Sequence, residues 1–268
     1  MIKEQNQHIK EVIGKIPYRL ALAGGWIDQP FISRFNPSPP GSMVVVSVEP
    51  QFPFMERAGI CTGTRNIALK LWRDGIPDGN PDELVQELYK AENGDKTEPS
   101  GSQDMIGLIY PGINRLDYDF TQRDGIFPVH IESNNDWQTA SWLESVINIL
   151  PVASRPEGYN PLETKNLHPD WIERLGDSGK MCYDAIISHD IKALGESMNE
   201  CMSCWEQILP GTVRHHTIET DLVSLLKHYK SMYPGAMYSG CGGGYLYVAS
   251  NTPVPGAFHI KARIKNNE

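Results

Sequence analysis

Two carboxylates in the first half of the sequence have neighbours that suit metal binding and proton transfer. Asp104 follows the polar segment 100–103 and precedes an apolar run, so it fits either a helix N-cap or a catalytic carboxylate. Glu92 lies twelve residues earlier, near the end of a predicted helix, where it fits either a surface acid or a metal ligand. Neither carboxylate establishes a site by itself.

Two glycine-containing segments could bring backbone amides close to a ligand. Segment 59–65 (Gly-Ile-Cys-Thr-Gly-Thr-Arg) opens a predicted helix, so its N–H groups could hold phosphate oxygens; a simple capped helix start is the alternative. It is not a Walker A motif, because no Gly-Lys-Ser/Thr follows at the required spacing. Segment 239–244 (Ser-Gly-Cys-Gly-Gly-Gly) lies between two predicted strands and fits either a close backbone approach or a flexible hairpin turn.

Two further clusters are interpreted as structural. Cys201 and Cys204 share a predicted helix whose apolar stripe predicts core packing rather than redox chemistry or metal binding. His215 and His216 are adjacent on a predicted helix, where neighbouring side chains point apart, so we expect two surface histidines and no joint metal site.

The elements that must position these residues alternate between strands and helices. β-Branched or alternating runs predict strands at 17–23, 42–48, 113–120, 127–132, 236–239, 245–249 and 258–264. Helical periodicity predicts helices at 62–72, 81–92, 136–150, 178–189, 192–208 and 214–232. The layout is mixed α+β, and the proline-rich connection at 151–161 predicts two domains, 1–150 and 151–268.

Composition narrows the class of partner. The 268 residues carry a net charge of −9 with 40% hydrophobic residues, typical of a globular protein. The acidic balance and the lack of basic clusters argue against nucleic acid, which leaves small molecules as the expected partners. No apolar run is long enough for a membrane span, the N-terminus does not resemble a signal peptide, and the five cysteines form no disulfide framework. We therefore expect a cytoplasmic protein with reduced thiols and no membrane partner.

Taken in order, these segments resemble the three motifs of the GHMP kinases, the superfamily of galactokinase, homoserine kinase, mevalonate kinase and the heptose kinases. Residues 17–28 (Pro-Tyr-Arg-Leu-Ala-Leu-Ala-Gly-Gly-Trp-Ile-Asp) are similar to motif one of the sugar kinases, with the heptose-kinase branch nearest. Residues 59–65 match motif two loosely, 101–104 match a Gly-x-Gln-Asp signature, and 239–244 match motif three. The resemblance implies a two-domain fold, with a ribosomal protein S5 domain 2-like N-terminal domain and a ferredoxin-like C-terminal domain.

The resemblance also implies an activity, which is transfer of the γ-phosphoryl group of ATP, with Mg²⁺, to a hydroxyl of a sugar or sugar phosphate. Asp104 would orient or deprotonate that hydroxyl, Arg19 would stabilise charge on the phosphoryl group, and Glu92 and Thr64 would hold Mg²⁺. The substrate-binding residues it implies are Asp28, Gly24, Gly25, Gly242, Gly243 and Gly244. The nucleotide-binding residues it implies are Gly59, Cys61, Thr62, Gly63, Thr64 and Arg65. A homodimer is compatible with this picture.

Two departures from the family pattern support a second hypothesis. Only 34 positions separate Gly25 from Gly59, where the family has a longer segment that builds much of the adenine pocket. Cys61 and Arg65 also replace small residues of motif two, although the planar guanidinium of Arg65 could itself bind phosphate. The alternative is therefore a non-catalytic or donor-altered protein that keeps this fold and binds a sugar-like ligand without productive use of ATP.

Overall fold

The fold consists of two four-stranded antiparallel sheets with helices packed against them. The computed structural model describes residues 14–51, 54, 59–96, 99–152 and 155–265. The strands are β1 (Tyr18–Ala21), β2 (Gly41–Val48), β3 (Ile113–Tyr118), β4 (His130–Asn134), β5 (Ile147–Pro151), β6 (Gly235–Tyr238), β7 (Tyr245–Ala249) and β8 (Phe258–His259). The helices are α1 (Pro30–Ser33), α2 (Thr62–Leu71), α3 (Pro81–Asn93), α4 (Gln103–Ile109), α5 (Trp137–Val146), α6 (Pro169–Ile187), α7 (Ile191–Ile208) and α8 (Leu222–Met232).

The first sheet has the order β1-β2-β3-β4. Every residue of β2, Gly-Ser-Met-Val-Val-Val-Ser-Val, is buried because α4 and α6 both pack against this strand. A strand covered on both faces has a nearly continuous apolar sequence rather than alternating apolar and polar residues. Arg19 of β1 lies opposite Ser47 of β2, so a charged side chain begins on a buried edge strand of this sheet.

The second sheet has the order β6-β7-β5-β8, with α7 packed against β6 and α6. We expected the helix that begins near residue 136 to continue to 150, and this prediction is wrong. The helix ends at Val146, and the β-branched residues that follow it form β5, in which Ile149 pairs with Tyr247. The mixed α+β fold class is confirmed.

The end of the chain returns to the first sheet. Ala262 forms a bridge with Val48, and the Arg263 amide donates to the carbonyl oxygen of Ser47 at 2.8 Å. The expected division at residue 150 falls within β5, whose partner strands belong to the second sheet. The division into domains 1–150 and 151–268 stays a prediction.

Three further element boundaries differ from expectation by five residues or more. The helix expected at 178–189 begins at Pro169, a residue favoured in the first helical turn. The helix expected at 214–232 begins only at Leu222, since Pro210–Thr212 forms a short 3-10 helix followed by turns. The strand expected at 258–264 is limited to Phe258–His259.

The two clusters interpreted as structural have different outcomes. The cysteine-bearing stripe of α7 is buried as predicted, and all five cysteines are free and buried. The helix expected at the histidines is wrong, because His215 and His216 lie in a turn with their ring centroids 4.3 Å apart. His216 is exposed as predicted, whereas the His215 side chain is buried. Among the described residues, none of the helices has the length and apolar character needed to cross a membrane.

Candidate active site

A cavity of about 750 Å³ lies where six separate parts of the chain meet. Its walls come from the segment that runs from β1 to α1, the first turn of α2, the end of α3 with the start of α4, the connection between β5 and α6, helix α7, and the turn between β6 and β7. This volume lies within the range typical of small-molecule sites. The sequence-predicted residues that line it are Arg19, Gly25, Asp28, Gly59, Cys61, Thr62, Gly63, Thr64, Glu92 and Asp104.

Arg19 and Asp104 form an ion pair at the floor of the cavity. Arg19 projects from β1 with only 5% of its surface exposed, and Asp104 lies in the first turn of α4 rather than at its N-cap, which is Ser102. Gly107, one turn later, permits this approach, because a Cβ there would collide with the Arg19 side chain. The pair therefore depends on α4 lying directly against β1.

A second oxygen of Asp104 faces the start of α2. The Thr64 hydroxyl donates to Asp104 Oδ2 at 3.4 Å, so one carboxylate joins a cation on one side and a hydroxyl on the other. The sulfur of Cys61 also lies 3.6 Å from the Asp104 carbonyl oxygen. These contacts place the first turn of α2 beside the ion pair.

Glu92 presents one oxygen that is already bonded and one that is not. Its Oε1 accepts from the Ser100 hydroxyl at 2.9 Å and from Lys96 Nζ at 3.1 Å. Its Oε2 is buried with no hydrogen-bond partner among the described residues. A buried carboxylate oxygen without a partner is costly, and a divalent cation would satisfy it.

Asp28 is the most buried carboxylate of the cavity, with 1% of its surface exposed. Burial raises the pKa of Asp28 to about 6, although the positive charge of Arg19 opposes this effect. Gly101 lies so close that a Cβ there would collide with the carboxylate. Asp28 Oδ1 has no hydrogen-bond partner within the described part of the chain, so it is available to a ligand that brings its own donor.

The start of α2 forms an open concave surface. Cys61 precedes the helix in a left-handed conformation, with φ of 68°, and the residues that follow it line the cavity. A Cβ on Gly63 would have no neighbour within 4 Å, so this position faces open space. Early amides of a helix have no partner within the helix, which makes such a terminus attractive to anions.

Arg65 lies apart from this surface. Its Nε donates to the Ile16 carbonyl oxygen at 2.9 Å, and its guanidinium lies 4.2 Å from the centre of the Tyr18 ring. The side chain is buried, does not line the cavity, and anchors α2 to the strand beneath.

The glycine-rich turn between β6 and β7 contributes its first half to the cavity, through Ser239, Gly240 and Cys241. The second half, Gly242–Gly244, does not line the cavity. Its three residues have φ of 72°, 108° and 87°, which suits glycine, and the Gly242 amide donates to Thr212. These glycines therefore shape the turn from behind.

The Gly24-Gly25 pair is similarly divided. Gly24 packs on the backbone of β2, and its amide donates to the sulfur of Cys201 at 3.4 Å. Gly25 lines the cavity, and its carbonyl oxygen accepts from the Trp205 indole at 3.0 Å. Helix α7 thus fixes the turn that carries Asp28.

Several lining residues were not predicted from the sequence; they are Trp26, Phe31, Lys96, Gln103, Arg155, Lys165 and Trp205. Gln103 stands inside the Gly-x-Gln-Asp signature, which was a usable signal, and its buried Oε1 has no partner in the described ranges. Arg155 lies in the proline-rich connection at 151–161 and Lys165 follows it, and no motif marks either residue. Arg155 Nε donates to the Cys241 carbonyl oxygen at 2.6 Å, and Lys165 Nζ lies 4.6 Å from the Phe31 ring centre.

Comparison with known proteins identifies the fold. No family model matches the sequence, and no curated protein matches it. Among solved structures, a protein assigned as a sugar kinase from Campylobacter jejuni superposes with a TM-score of 0.58 at 14% identity, covering 93% of this chain and 96% of that chain. A D-glycero-D-manno-heptose 1-phosphate kinase from Bacteroides thetaiotaomicron gives a TM-score of 0.53 at 12% identity, covering 92% and 95%. Galactokinase from Lactococcus lactis, solved with galactose, gives 0.52 at 11% identity, covering 93% and 90%.

These structures are GHMP kinases, and the similarity extends over nearly the whole of this chain. The resemblance drawn from the sequence motifs is therefore confirmed at the level of the fold.

Proposed function

We propose that this chain, which has the fold of the GHMP kinases, is a small-molecule kinase that transfers the γ-phosphoryl group of ATP to a hydroxyl of a sugar or sugar phosphate. The observation that carries the proposal is the convergence of Arg19, Asp28, Thr64, Glu92 and Asp104 on one cavity. These residues come from three parts of the chain, 19–28, the start of α2 and 92–104. A protein that only bound a sugar would have no physical need for both an acidic metal ligand and a carboxylate paired to a buried arginine.

The role assigned to the Arg19–Asp104 ion pair is to orient the reacting groups and to stabilise charge. Phosphoryl transfer needs an oriented hydroxyl and stabilisation of charge on the transferred group more than it needs a strong base. Asp104 would accept the proton of the substrate hydroxyl and hold its oxygen in line. Arg19, with its Nε buried and without a hydrogen-bond partner among the described residues, would stabilise negative charge on the phosphoryl group.

Glu92 and Thr64 fit a magnesium ion. Glu92 supplies a buried oxygen without a described partner, and Thr64 supplies a hydroxyl next to Asp104. Both are hard oxygen donors of the kind that Mg²⁺ prefers. When bound, Mg²⁺ would neutralise negative charge on the nucleotide phosphates.

The start of α2 and the turn at 239–241 would hold the phosphates of the nucleotide. Both surfaces offer backbone rather than charged side chains, which suits an acidic protein that must attract an anion locally. Gly63 leaves the space that a phosphate needs. In this arrangement Arg65 acts only as an anchor for α2.

The opposite part of the cavity suits a hydroxylated ligand. Asp28 and Gln103 present buried polar oxygens without described partners, and Trp26 and Phe31 supply aromatic surface beside them. Sugars offer hydroxyl donors to such acceptors and apolar C–H faces to such rings. Lys165 lies against Phe31 and contacts no carboxylate within the described residues, so it would favour a sugar that already carries a phosphate.

Thermal unfolding with a panel of nucleotides, each with and without Mg²⁺, tests the first half of the proposal. A ligand at 100 times its dissociation constant adds about 2.7 kcal/mol to the free energy of unfolding. We expect a rise in Tm with ATP that depends on Mg²⁺, followed by release of ADP when the correct sugar is added. Asp104→Asn should abolish turnover while it leaves sugar binding nearly intact, and a fully active variant would remove the role assigned to this carboxylate.

A non-catalytic sugar-binding protein remains the alternative, because only 34 positions separate Gly25 from Gly59 and the family builds much of its adenine pocket there. Stabilisation by sugars but by no nucleotide would favour it. A cytoplasmic location is part of the kinase proposal, since ATP is the donor. A homodimer is compatible with either function.

A further inference from the structure

A cluster of two histidines and a glutamate lies outside the residues that line the cavity. Glu163 belongs to the connection between β5 and α6, and His215 and His216 follow the short helix at 210–212. One ligand atom from each of the three side chains lies within 4.8 Å of the other two. Among the described residues, this is the one group of three or more His, Cys, Asp or Glu side chains placed so closely.

His215 supplies an independent sign of a missing ligand. Only 3% of its side chain is exposed, and its Nε2 is buried without a hydrogen-bond partner within the described part of the chain. Glu163 Oε2 lies 3.2 Å from this nitrogen, but the arrangement does not meet hydrogen-bond geometry. Two ligands of one tetrahedral zinc ion, each at about 2.0 to 2.1 Å from the metal, stand roughly 3.4 Å apart. The separation of Nε2 and Oε2 therefore already suits a shared ion.

Neighbouring groups hold the imidazoles in place. The Thr217 amide donates to His215 Nδ1 at 3.3 Å, and the Thr217 hydroxyl lies 2.7 Å from the same nitrogen. A metal at Nε2 requires the tautomer with its proton on Nδ1, and in that tautomer the Thr217 hydroxyl can accept the proton. Tyr159 packs edge-on against the His215 ring at 5.0 Å, and its own hydroxyl donates to the Gly211 carbonyl oxygen at 2.8 Å. The site is therefore buried at His215 and open to solvent at Glu163 and His216.

We propose that Glu163, His215 and His216 bind a divalent transition metal ion, and that the ion they suit is Zn²⁺. Two imidazole nitrogens and one carboxylate oxygen are borderline donors that suit Zn²⁺ better than Mg²⁺ or Ca²⁺, which prefer oxygen ligands alone. Three protein ligands leave a fourth position for water. This site is distinct from the magnesium position assigned to Glu92 and Thr64, and it does not depend on the kinase proposal.

Binding would fasten one wall of the cavity. Glu163 follows Leu162 directly and lies two residues before Lys165, and both of these residues line the cavity. Tyr159 packs on Gly242 behind the glycine-rich turn. An ion that joins Glu163 to His215 and His216 would tie this connection to the segment after α7. The structural effect we expect is a more stable arrangement of residues 159–165.

Metal titration of the full chain, stripped of metal by a chelator, tests the proposal. Titration with ZnCl₂ in a calorimeter should give one Zn²⁺ per chain, and Co²⁺ should give a tetrahedral visible spectrum without the thiolate charge-transfer band that cysteine ligands produce. His216→Gln and Glu163→Gln change exposed side chains, so both variants should fold. Each should weaken Zn²⁺ binding by at least roughly 10- to 100-fold, the cost of losing even an indirect metal contact.

His168→Gln is the matched control, because His168 lies 3.9 Å from Asp170 in an exposed pair with no third ligand. We expect this variant to bind Zn²⁺ as the unmodified chain does. Binding of equal affinity in His216→Gln and Glu163→Gln would place the metal elsewhere and overturn the proposal. Failure of the unmodified chain to bind Zn²⁺ would also overturn it, as would a thiolate band in the Co²⁺ spectrum.

Discussion

Asp28→Asn should make the protein more stable at neutral and alkaline pH. Burial raises the pKa of Asp28 to about 6, so the folded protein opposes its ionisation. Relative to an ordinary carboxyl pKa of about 3.9, this corresponds to about 3 kcal/mol at pH values well above 6. The folded state binds the proton more tightly than the unfolded state does. The stability associated with Asp28 is therefore complete below pH 4 and is lost as pH rises through about 6.

Asparagine has nearly the same shape as aspartate and carries no charge, so the variant avoids this cost. At pH 8 we expect its free energy of unfolding to exceed that of the unmodified chain by up to about 3 kcal/mol, or roughly 5 to 10 °C in Tm. The difference should shrink towards zero as pH falls to 4. Unfolding by urea, followed at pH 8, 6 and 4, measures both the gain and its pH dependence.

Asp177→Asn provides the control, since Asp177 lies on an exposed position of α6 and its replacement should leave stability nearly unchanged. Equal stability of the unmodified chain and Asp28→Asn at pH 8 would refute the reasoning, and so would a gain that is the same at every pH. The variant should also lose affinity for the sugar, because the oxygen that lacks a described partner is the one assigned to the ligand. Stability and binding would then change in opposite directions, as they do where a site retains a costly buried charge.

Three further outcomes follow from the same geometry. Gly63→Ala should leave the stability of the protein unchanged, because a Cβ there meets nothing within 4 Å, but it should weaken nucleotide binding. Unchanged nucleotide affinity in the thermal assay would show that the start of α2 does not bind the phosphates. Glu92→Gln should lose the Mg²⁺-dependent part of nucleotide stabilisation while Glu87→Gln, on an exposed position of the same helix, keeps it; equal behaviour of the two variants would argue against Glu92 as a metal ligand. Cys204→Ser should not change the oxidant sensitivity of activity, because burial raises the pKa of the Cys204 thiol and keeps it from forming the reactive thiolate; protection by the substitution would show instead that this thiol reacts.

Where local pattern and tertiary packing agree, the sequence is a good guide to the fold. The strand at 42–48 and the helix from Thr62 were predicted closely, because a long β-branched run and a glycine-bounded periodic segment each have one good packing solution. Segment 147–150 was assigned to a helix because its apolar residues also satisfy helical spacing. Only pairing with β7 decides that it is a strand, and that partner lies about a hundred residues away.

The candidate site shows the same limit. Arg19, Glu92 and Asp104 were found from their order along the chain, and the structure brings them to one cavity. Arg65 stood at the right place for a phosphate ligand, yet its stacking on Tyr18 could not be read from a helix pattern. The closeness of His215 and His216 was missed for a related reason, since the expected helix would have separated side chains that the turn brings together.

The bond between Trp205 and the turn after β1 gives the cavity its own optical signal. The indole is 4% exposed, lines the cavity, and donates to the Gly25 carbonyl oxygen. Indole emission depends on the polarity and hydrogen bonding of the ring, so displacement of cavity water or movement of that carbonyl would change the colour and intensity of fluorescence. Trp26 lies on the same cavity, and the chain has six tryptophans in all. Occupancy could thus be followed in real time without a label, with Trp205→Phe used to assign the change to this one reporter.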